Sequence, residues 1–173
     1  MNYSGNARKG FTLVELLIVV LILGVLAAIA IPQFTDSTTD AKLSTLDTNL
    51  SELRNACELY LHQHNGAYPG AKNNTTGADA ATAGEAATAF VQQLTKYSAA
   101  TGVTSDTKTA VYKYGPYIKR AQPPENPFND LATVVCDITE NDISVAASGG
   151  IAGWKFYTET GRLLSDDGSH DSN

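Results

Sequence analysis

The stretch Lys9-Gly10-Phe11-Thr12-Leu13-Val14-Glu15 opens an apolar run that continues to Ile31. Between Leu16 and Ile31 there is no charged residue, and Gly24 alone interrupts a series of Leu, Ile, Val and Ala. As a helix, the 21 residues from Phe11 to Ile31 would extend about 31 Å, which is enough to cross the core of a bilayer. The sequence therefore predicts a membrane span with one carboxylate, Glu15, near its start.

The position of Glu15 needs an explanation. An ionisable group in a membrane segment costs roughly 2.5–3.5 kcal/mol on insertion scales, so a functional role and a partner for its charge are expected. A secretory signal peptide fits poorly, because its apolar region should be shorter and would here contain Glu15. A plain membrane anchor is the remaining alternative.

The junction itself carries a resemblance to a known family. Gly10-Phe11-Thr12-Leu13-Val14-Glu15 resembles the class III leader junction of type IV pilins and of the pseudopilins of type II secretion. In that family, a membrane aspartyl peptidase cuts after the glycine and methylates the new N-terminal amine. The resemblance implies a leader peptide over 1–10, cleavage between Gly10 and Phe11, and N-methylation of Phe11. Pro32, directly after the apolar run, also matches the family pattern.

The helical pattern is predicted to continue beyond the apolar run. Gly24 and Pro32 are expected to kink the helix without ending it. The transmembrane and filament-core helix is assigned to 11–31, and an amphipathic helix that continues into the soluble domain is assigned to 32–66. Apolar residues at spacings of three and four form one stripe on this second part: Leu43, Leu46, Leu50, Leu53, Cys57, Tyr60 and Leu61. Asn65-Gly66 is expected to end the helix.

Residues 67–173 are predicted to form a globular pilin-like domain. A short helix is expected over 85–97, and the strand candidates are 133–138, 143–147, 154–157 and 162–164. Their spacing suggests an antiparallel meander whose one face packs on the helical stripe. The predicted fold class is α+β, with a long N-terminal helix on a small C-terminal antiparallel sheet. The polar tail, 165–173, is expected to be disordered.

The C-terminal half carries a second resemblance. The segments Gly115-Pro116-Tyr117-Ile118-Lys119, Asn126-Pro127-Phe128 and Gly153-Trp154-Lys155-Phe156-Tyr157, followed by Gly161, resemble the domain of major pseudopilins of the G class of type II secretion. Each of these segments is common by itself. The resemblance implies a secretion pseudopilin, and other pilin types stay open as alternatives.

The charge of the chain limits its possible partners and indicates its orientation in the membrane. The formal net charge is −6, and removing the leader with Arg8 and Lys9 lowers it by a further two, to −8. An acidic mature chain argues against nucleic acid as a partner, since phosphate recognition needs clustered Lys and Arg. The two basic residues precede the apolar run, so the positive-inside rule places the N-terminus in the cytoplasm and the domain outside it.

Two cysteines, Cys57 and Cys136, fall in the part of the chain expected in an oxidising compartment. Cys57 lies on the helical stripe, and Cys136 lies in a strand expected to cover that stripe. A disulfide between them would close a loop of about 80 residues and stabilise the fold by roughly 4–4.5 kcal/mol in the chain-entropy estimate. The alternative is a pair of buried free thiols that pack as small hydrophobic residues.

Metal and catalytic sites find little support. His62 and His64 diverge on a helix, and with Glu58 they lack a further ligand, so a solvated helix end is expected. The tail contains Asp166, Asp167 and Asp171, and many G-class pseudopilins bind calcium near the C-terminus, but no Asp-x-Asp-x-Asp-Gly run is present. Calcium stays an alternative without assigned ligands. No hydrolase, phosphate-loop or zinc-protease motif occurs, so an enzyme is not expected.

The sequence therefore predicts a structural subunit of the bacterial inner membrane, with a single pass and a periplasmic or extracellular domain, that assembles into a filament. The expected partners are other copies, minor pseudopilins or pilins, the prepilin peptidase and the inner-membrane assembly platform. Glu15 has two candidate partners, the positive end of its own helix and the methylated amine of Phe11 in a neighbouring copy. The alternatives are a surface-pilus pilin for adhesion, motility or uptake, and a membrane-anchored binding domain that does not polymerise.

Overall fold

A computed structural model of the chain describes residues 10–142, 144 and 149–170, and over 30–36 it describes the backbone without the side chains. The chain divides into two compact units, the first ending at Ala41 and the second beginning at Lys42. Helix α1, Leu13–Gln63, starts in the first unit and ends in the second.

The first unit contains the apolar part of α1. Its side chains from Phe11 to Ile29 are exposed, each of the large apolar ones by 48% or more of its surface. The backbone of α1 is helical through Gly24 and Pro32, so the predicted kink stays a prediction, and the side chain of Pro32 lies outside the described residues. Within the described part of the chain, we find no helix whose length and apolarity would suffice for crossing a membrane.

In the second unit, the predicted stripe of α1 is buried. Five of its seven members are at most 1% exposed, namely Leu46, Leu50, Leu53, Cys57 and Tyr60. The helix ends as expected: the Gly66 N–H donates to the Leu61 carbonyl at 3.1 Å, and Gly66 has a φ of +78°. Glycine adopts this left-handed conformation without steric cost, which explains its place after the last turn.

Helix α2, Ala83–Thr95, begins and ends two residues before the predicted bounds of 85–97. The Thr82 hydroxyl accepts a hydrogen bond from the Glu85 N–H at 3.2 Å and so caps the first turn. The helix buries Phe90 and Leu94, which its spacing predicts to face inward, and also Ala86, Ala89 and Gln93.

The strands form two small sheets. Strand β1, Tyr97–Ser98, pairs antiparallel with β2, Thr104–Ser105. The second sheet has the order β3-β4-β5, with β3 at Val134–Asp137, β4 at Trp154–Tyr157 and β5 at Leu163–Ser165.

The second sheet is mixed, since β4 pairs antiparallel with β5 but parallel with β3. The predicted antiparallel meander is therefore correct for β4 and β5 and wrong for β3 and β4. The sixteen residues between Asp137 and Trp154 are long enough for the crossover that a parallel pair requires. The strand candidate at 143–147 lies outside the described residues except for Ser144.

One hydrophobic core joins the buried stripe of α1, the inner face of α2 and the second sheet. The rings of Phe90 and Phe156 approach to 4.7 Å between centroids. Trp154 is fully buried, and its indole N–H donates to the Pro124 carbonyl at 2.8 Å. The α+β class with a long helix packed on a small sheet is confirmed.

The C-terminal segment is ordered beyond the predicted limit. Ser165 and Asp166 are buried, so the expected disorder from residue 165 is wrong as far as residue 170, and 171–173 lie outside the described residues. The Asp166 carboxylate accepts hydrogen bonds from the N–H groups of Gly149, Gly150 and Ala152 at 3.0–3.2 Å. A charged residue thus ties the tail to the loop before β4.

The core makes a matched pair of leucine variants informative. Leu50 is 1% exposed and Leu59, on the same helix, is 50% exposed. Leu50→Ala should lower the free energy of unfolding by about 2–5 kcal/mol because it leaves a cavity, while Leu59→Ala should change it by about 0.5 kcal/mol or less. Chemical denaturation of both variants measures this, and equal losses would contradict the placement of the stripe.

Candidate assembly site

The start of α1 holds a reciprocal pair of side chains. The Glu15 Oε2 accepts from the Thr12 N–H at 2.9 Å and from the Thr12 hydroxyl at 2.7 Å. The Glu15 N–H in turn donates to the Thr12 hydroxyl oxygen at 3.2 Å. This arrangement is a capping box. The side chain of a threonine before the helix accepts the backbone N–H of a glutamate three residues later, and the glutamate side chain accepts the backbone N–H of the threonine.

The capping box bears on the partner of Glu15. Of the two candidates predicted for its charge, the single chain supplies the first, the N-terminus of its own helix. Thr12 was not predicted as a partner of Glu15, although the spacing Thr-x-x-Glu is a readable signal of a capping box. Both donated bonds end on Oε2, and among the described residues no contact to Oε1 is seen.

The surroundings of the capping box are open. Phe11 and Leu13 are each 80% exposed, and Gly10 is exposed with nothing within 4 Å of an added Cβ. Both residues of the predicted scissile bond, Gly10 and Phe11, are therefore exposed. Cleavage there and methylation of Phe11 stay predictions, and Arg8 and Lys9 lie outside the described residues.

Comparison with known proteins matches this same region. Residues 5–31 match the family described as the prokaryotic N-terminal methylation motif. A fimbrial protein of Pseudomonas aeruginosa is 52% identical over 53 residues, 31% of this chain and 34% of the relative. The N-terminal region is therefore similar to that of type IV pilin-like prepilins.

Two further relatives agree with this family. A type IV narrow pilus major component, PilA5, of Thermus thermophilus is 43% identical over 58 residues, 34% of this chain and 50% of the relative. A fimbrial protein of Neisseria meningitidis is 38% identical over 87 residues, 50% of this chain and 49% of the relative. The chain thus spans between about a third and a half of the length of these relatives, and no solved structure matches it.

The two cysteines of the chain are free and buried. The predicted disulfide between Cys57 and Cys136 is not formed in the structure, and the thiols pack in the core, as in the alternative interpretation. Burial raises the pKa of both thiols, that of Cys136 to about 12. A thiol with so high a pKa holds little of the reactive thiolate at neutral pH.

Both histidines were predicted to be solvated at the end of the helix. His62 is exposed as expected, but His64 is buried. His64 is 2% exposed and its ring stacks on that of Tyr60 at 3.6 Å between centroids. Its Nε2 lies 2.9 Å from the Ser98 hydroxyl and its Nδ1 lies 2.9 Å from the Tyr60 carbonyl. Burial lowers the pKa of His64, so the ring is neutral and belongs to the core.

Two aspartates of the tail, Asp166 and Asp167, are engaged by hydrogen-bond donors. The Asp166 oxygens accept three main-chain N–H groups, and those of Asp167 accept the Ser165 hydroxyl at 2.7 Å and the His170 N–H at 2.8 Å. Carboxylates engaged by donors are not oriented as cation ligands. Within the described residues, no group of three or more His, Cys, Asp or Glu could hold a metal ion, and Asp171 lies outside them.

Asp137, at the end of β3, is a partly buried carboxylate held by the turn that follows it and by Lys155. Its Oδ1 accepts from the Thr139 N–H at 3.0 Å and the Glu140 N–H at 3.1 Å, and its Oδ2 lies 3.6 Å from the Lys155 ammonium. The Thr139 N–H is the main cause that holds the pKa of Asp137 below its usual value. The ionised form therefore favours the folded state.

The thiols give a direct test of the core. In the folded chain, Cys57 and Cys136 should resist iodoacetamide at pH 8, because burial disfavours the reactive thiolate. After unfolding without a reducing agent, both should react fully. Mass spectrometry counts the added groups. Two unmodified cysteines after unfolding, with a mass two hydrogens lower, would mean that the disulfide forms instead.

Asp137 predicts a dependence of stability on pH. Because its folded pKa is depressed, its contribution is present above the unfolded value of about 3.9 and is lost as the pH falls through the folded pKa. The free energy of unfolding should fall less between about pH 4 and pH 2 in Asp137→Asn than in the unmodified chain. Asp47→Asn, on the exposed face of α1, is the control. Parallel pH profiles for all three proteins would contradict this role.

Proposed function

We propose that the chain is a structural subunit of a type IV-like filament. Before assembly it is anchored in the bacterial inner membrane by residues 11–31, and the prepilin peptidase removes residues 1–10 and methylates Phe11. The observation that carries this proposal is a helix whose apolar side chains from Leu13 to Ile29 are exposed and whose first turn holds one carboxylate, Glu15.

The exposed apolar side chains need cover. A row of Leu, Ile and Val side chains from Leu13 to Ile29, each about half exposed or more, is far larger than the scattered apolar residues of a soluble surface. Lipid would cover them in the unassembled subunit, and the same segment of neighbouring copies would cover them in a filament. The small residues Gly24, Ala27 and Ala28 would allow those helices to approach closely.

Glu15 can take part in both the unassembled subunit and the filament. In the single chain, both hydrogen bonds from Thr12 end on Oε2, so one oxygen of the carboxylate can still take a cation. A methylated amine of Phe11 from a neighbouring copy would supply that charge. A carboxylate among apolar helices is destabilising until it is paired, so the pairing would set the axial register of each added subunit.

More specifically, the chain would be a pseudopilin of a type II secretion system. Its domain would lie in the periplasm, and its filament would be a pseudopilus that serves protein export. This assignment is supported by the C-terminal segments that resemble the G class, each of which has a fixed place in the domain. The Tyr117 and Ile118 N–H groups both donate to the Leu94 carbonyl at 2.9 Å, and the Phe128 N–H donates to the Asn126 side chain at 3.0 Å. Its partners would be further copies, minor pseudopilins and the inner-membrane assembly platform.

A surface-pilus pilin is the second candidate, because the relatives named above are fimbrial and pilus proteins. A deletion in the native host separates the two. Loss of secreted proteins with surface fibres intact supports the pseudopilin, and loss of surface fibres with secretion intact supports the pilin. If both are unchanged, the chain is a membrane-anchored domain that does not polymerise.

Glu15 provides the test of filament assembly. Glu15→Gln keeps the shape and the hydrogen bonds but removes the charge, so membrane insertion should be unchanged while filament yield falls by at least about tenfold, the effect of about 1.4 kcal/mol per added subunit. Shearing followed by quantitative blotting measures the yield.

The matched control is Glu52→Gln, which makes the same change at an exposed position of α1 in the second unit. It should assemble like the unmodified chain. Filaments of normal yield from Glu15→Gln would contradict the proposed pairing, and an equal loss in both variants would point to a general effect of charge.

A further inference from the structure

Residues 72–79 form a narrow loop between the end of α1 and the start of α2. Lys72 and Asp79 form an antiparallel bridge, and their side chains form an ion pair. Inside this bridge, the Asn73 N–H donates to the Ala78 carbonyl at 2.7 Å. The base of the loop is therefore fixed by backbone pairing. We call 72–79 the asparagine loop.

The asparagine loop contains two overlapping Asn-x-Thr sequences, Asn73-Asn74-Thr75 and Asn74-Thr75-Thr76. A third sequence of the type Asn-x-Ser/Thr begins at Asn49 in α1, and a fourth begins at Asn2, outside the described residues. Such a sequence is the acceptor of N-linked sugars, which become bonded to the side-chain nitrogen of its asparagine. An acceptor must present both this nitrogen and the Ser or Thr hydroxyl to the enzyme that transfers the sugar.

Asn73 presents both groups. Its Oδ1 accepts from the N–H groups of Thr75 and Thr76 at 2.9 and 3.1 Å. Because only the oxygen of an amide side chain can accept an N–H, the opposite end of the Asn73 side chain is the nitrogen. Within the part of the chain that the structure describes, no hydrogen bond to Asn73 Nδ2 or to the Thr75 hydroxyl is seen. Asn73 is partly exposed and Thr75 is exposed.

The other two acceptor sequences among the described residues have their asparagine nitrogens engaged. Asn74 Nδ2 donates to Gln92 Oε1 at 3.0 Å, and the hydroxyl oxygen of Thr76 accepts a backbone N–H at 3.3 Å. Asn49 Nδ2 donates to the Glu125 carbonyl at 3.0 Å, and Asn49 lies in the middle of α1. Of these three sequences, the structure therefore leaves only the one at Asn73 open.

We propose that Asn73 is the acceptor of an N-linked sugar. This inference rests on the proposed function, which exports the domain from the cytoplasm, because the acceptor sequence is used on surface loops of exported proteins. The Asn73 Nδ2 forms a bond with the anomeric carbon of a sugar that is carried on a lipid diphosphate. The bond from that carbon to the diphosphate oxygen breaks, and the lipid diphosphate leaves with the electron pair. Nδ2 gives one of its two protons to a base of the transferase.

The loop can keep its structure when the sugar is attached. The reaction takes place at Nδ2 and leaves both hydrogen bonds to the Asn73 Oδ1 in place. Thr75, Thr76, Ala78 and Asp79 are exposed, so the asparagine loop is in contact with solvent around its tip. A sugar at Asn73 would add a bulky, hydrated group to this surface and make the exported domain more soluble.

The test uses the protein isolated from its native host. Trypsin cuts after Lys72 and Lys96 and so releases the peptide 73–96. Mass spectrometry of this peptide should show an added sugar mass, and fragmentation that preserves side-chain modifications should place it on Asn73. The tryptic peptide 43–54, which contains Asn49, should be unmodified.

A matched pair of threonine variants tests which sequence is used. Thr75→Ala removes the hydroxyl of the Asn73 sequence and keeps the backbone N–H groups that hold the Asn73 side chain, so the sugar mass should be lost. Thr76→Ala is the control, because it removes the hydroxyl of the Asn74 sequence and should leave the sugar mass unchanged. Asn73→Gln should also lose the sugar, which distinguishes attachment to nitrogen from attachment to a threonine hydroxyl.

The outcomes separate this inference from the proposed function, because the N-terminal peptide is measured in the same digest. A chain that begins at Phe11 and is unmodified at Asn73 contradicts the inference alone. A sugar on Asn74 or Asn49, or a sugar that is retained in Asn73→Gln, also overturns it. A chain that still carries residues 1–10 contradicts the proposed processing instead.

Discussion

The need to cover the apolar side chains of the first part of α1 is the constraint on which the rest of the molecule depends. From Leu13 to Ile29 they are exposed in the single chain, so the isolated subunit presents a surface that water disfavours. The capping box between Thr12 and Glu15 gives this helix a defined start and holds the carboxylate at its end. Lipid and neighbouring copies offer the two kinds of cover that the proposed function requires.

The second part of α1 is apolar on one face only, and its sequence shows this pattern. There the apolar residues form a stripe, which packs on α2 and the second sheet and supplies the domain with its core. The stripe, the end of the helix near Gly66 and the inner face of α2 could be predicted, because each depends on local spacing or on one residue's backbone preference. The capping box was equally local, and Thr12 was readable from its spacing to Glu15.

The features that the sequence did not predict depend on contacts between distant segments. The parallel pairing of β3 with β4 depends on the path of the chain between them, which short strand patterns do not encode. His64 is buried because its ring stacks on Tyr60 and shares a hydrogen bond with the Ser98 hydroxyl. Asp166 is buried because backbone N–H groups before β4 donate hydrogen bonds to its carboxylate. Cys57 and Cys136 both lie in the core as predicted. Whether they form a disulfide could not be predicted from the expected compartment and the number of cysteines.

The most direct measurement is the mass of the N-terminal peptide of the protein isolated from its native host. If the apolar helix serves as a filament core, the chain should begin at Phe11 and carry one added methyl group on its amine, which is the cation proposed for Glu15. A peptide that still contains residues 1–10, or one that begins beyond Phe11, would contradict processing as a prepilin and the assembly that follows from it.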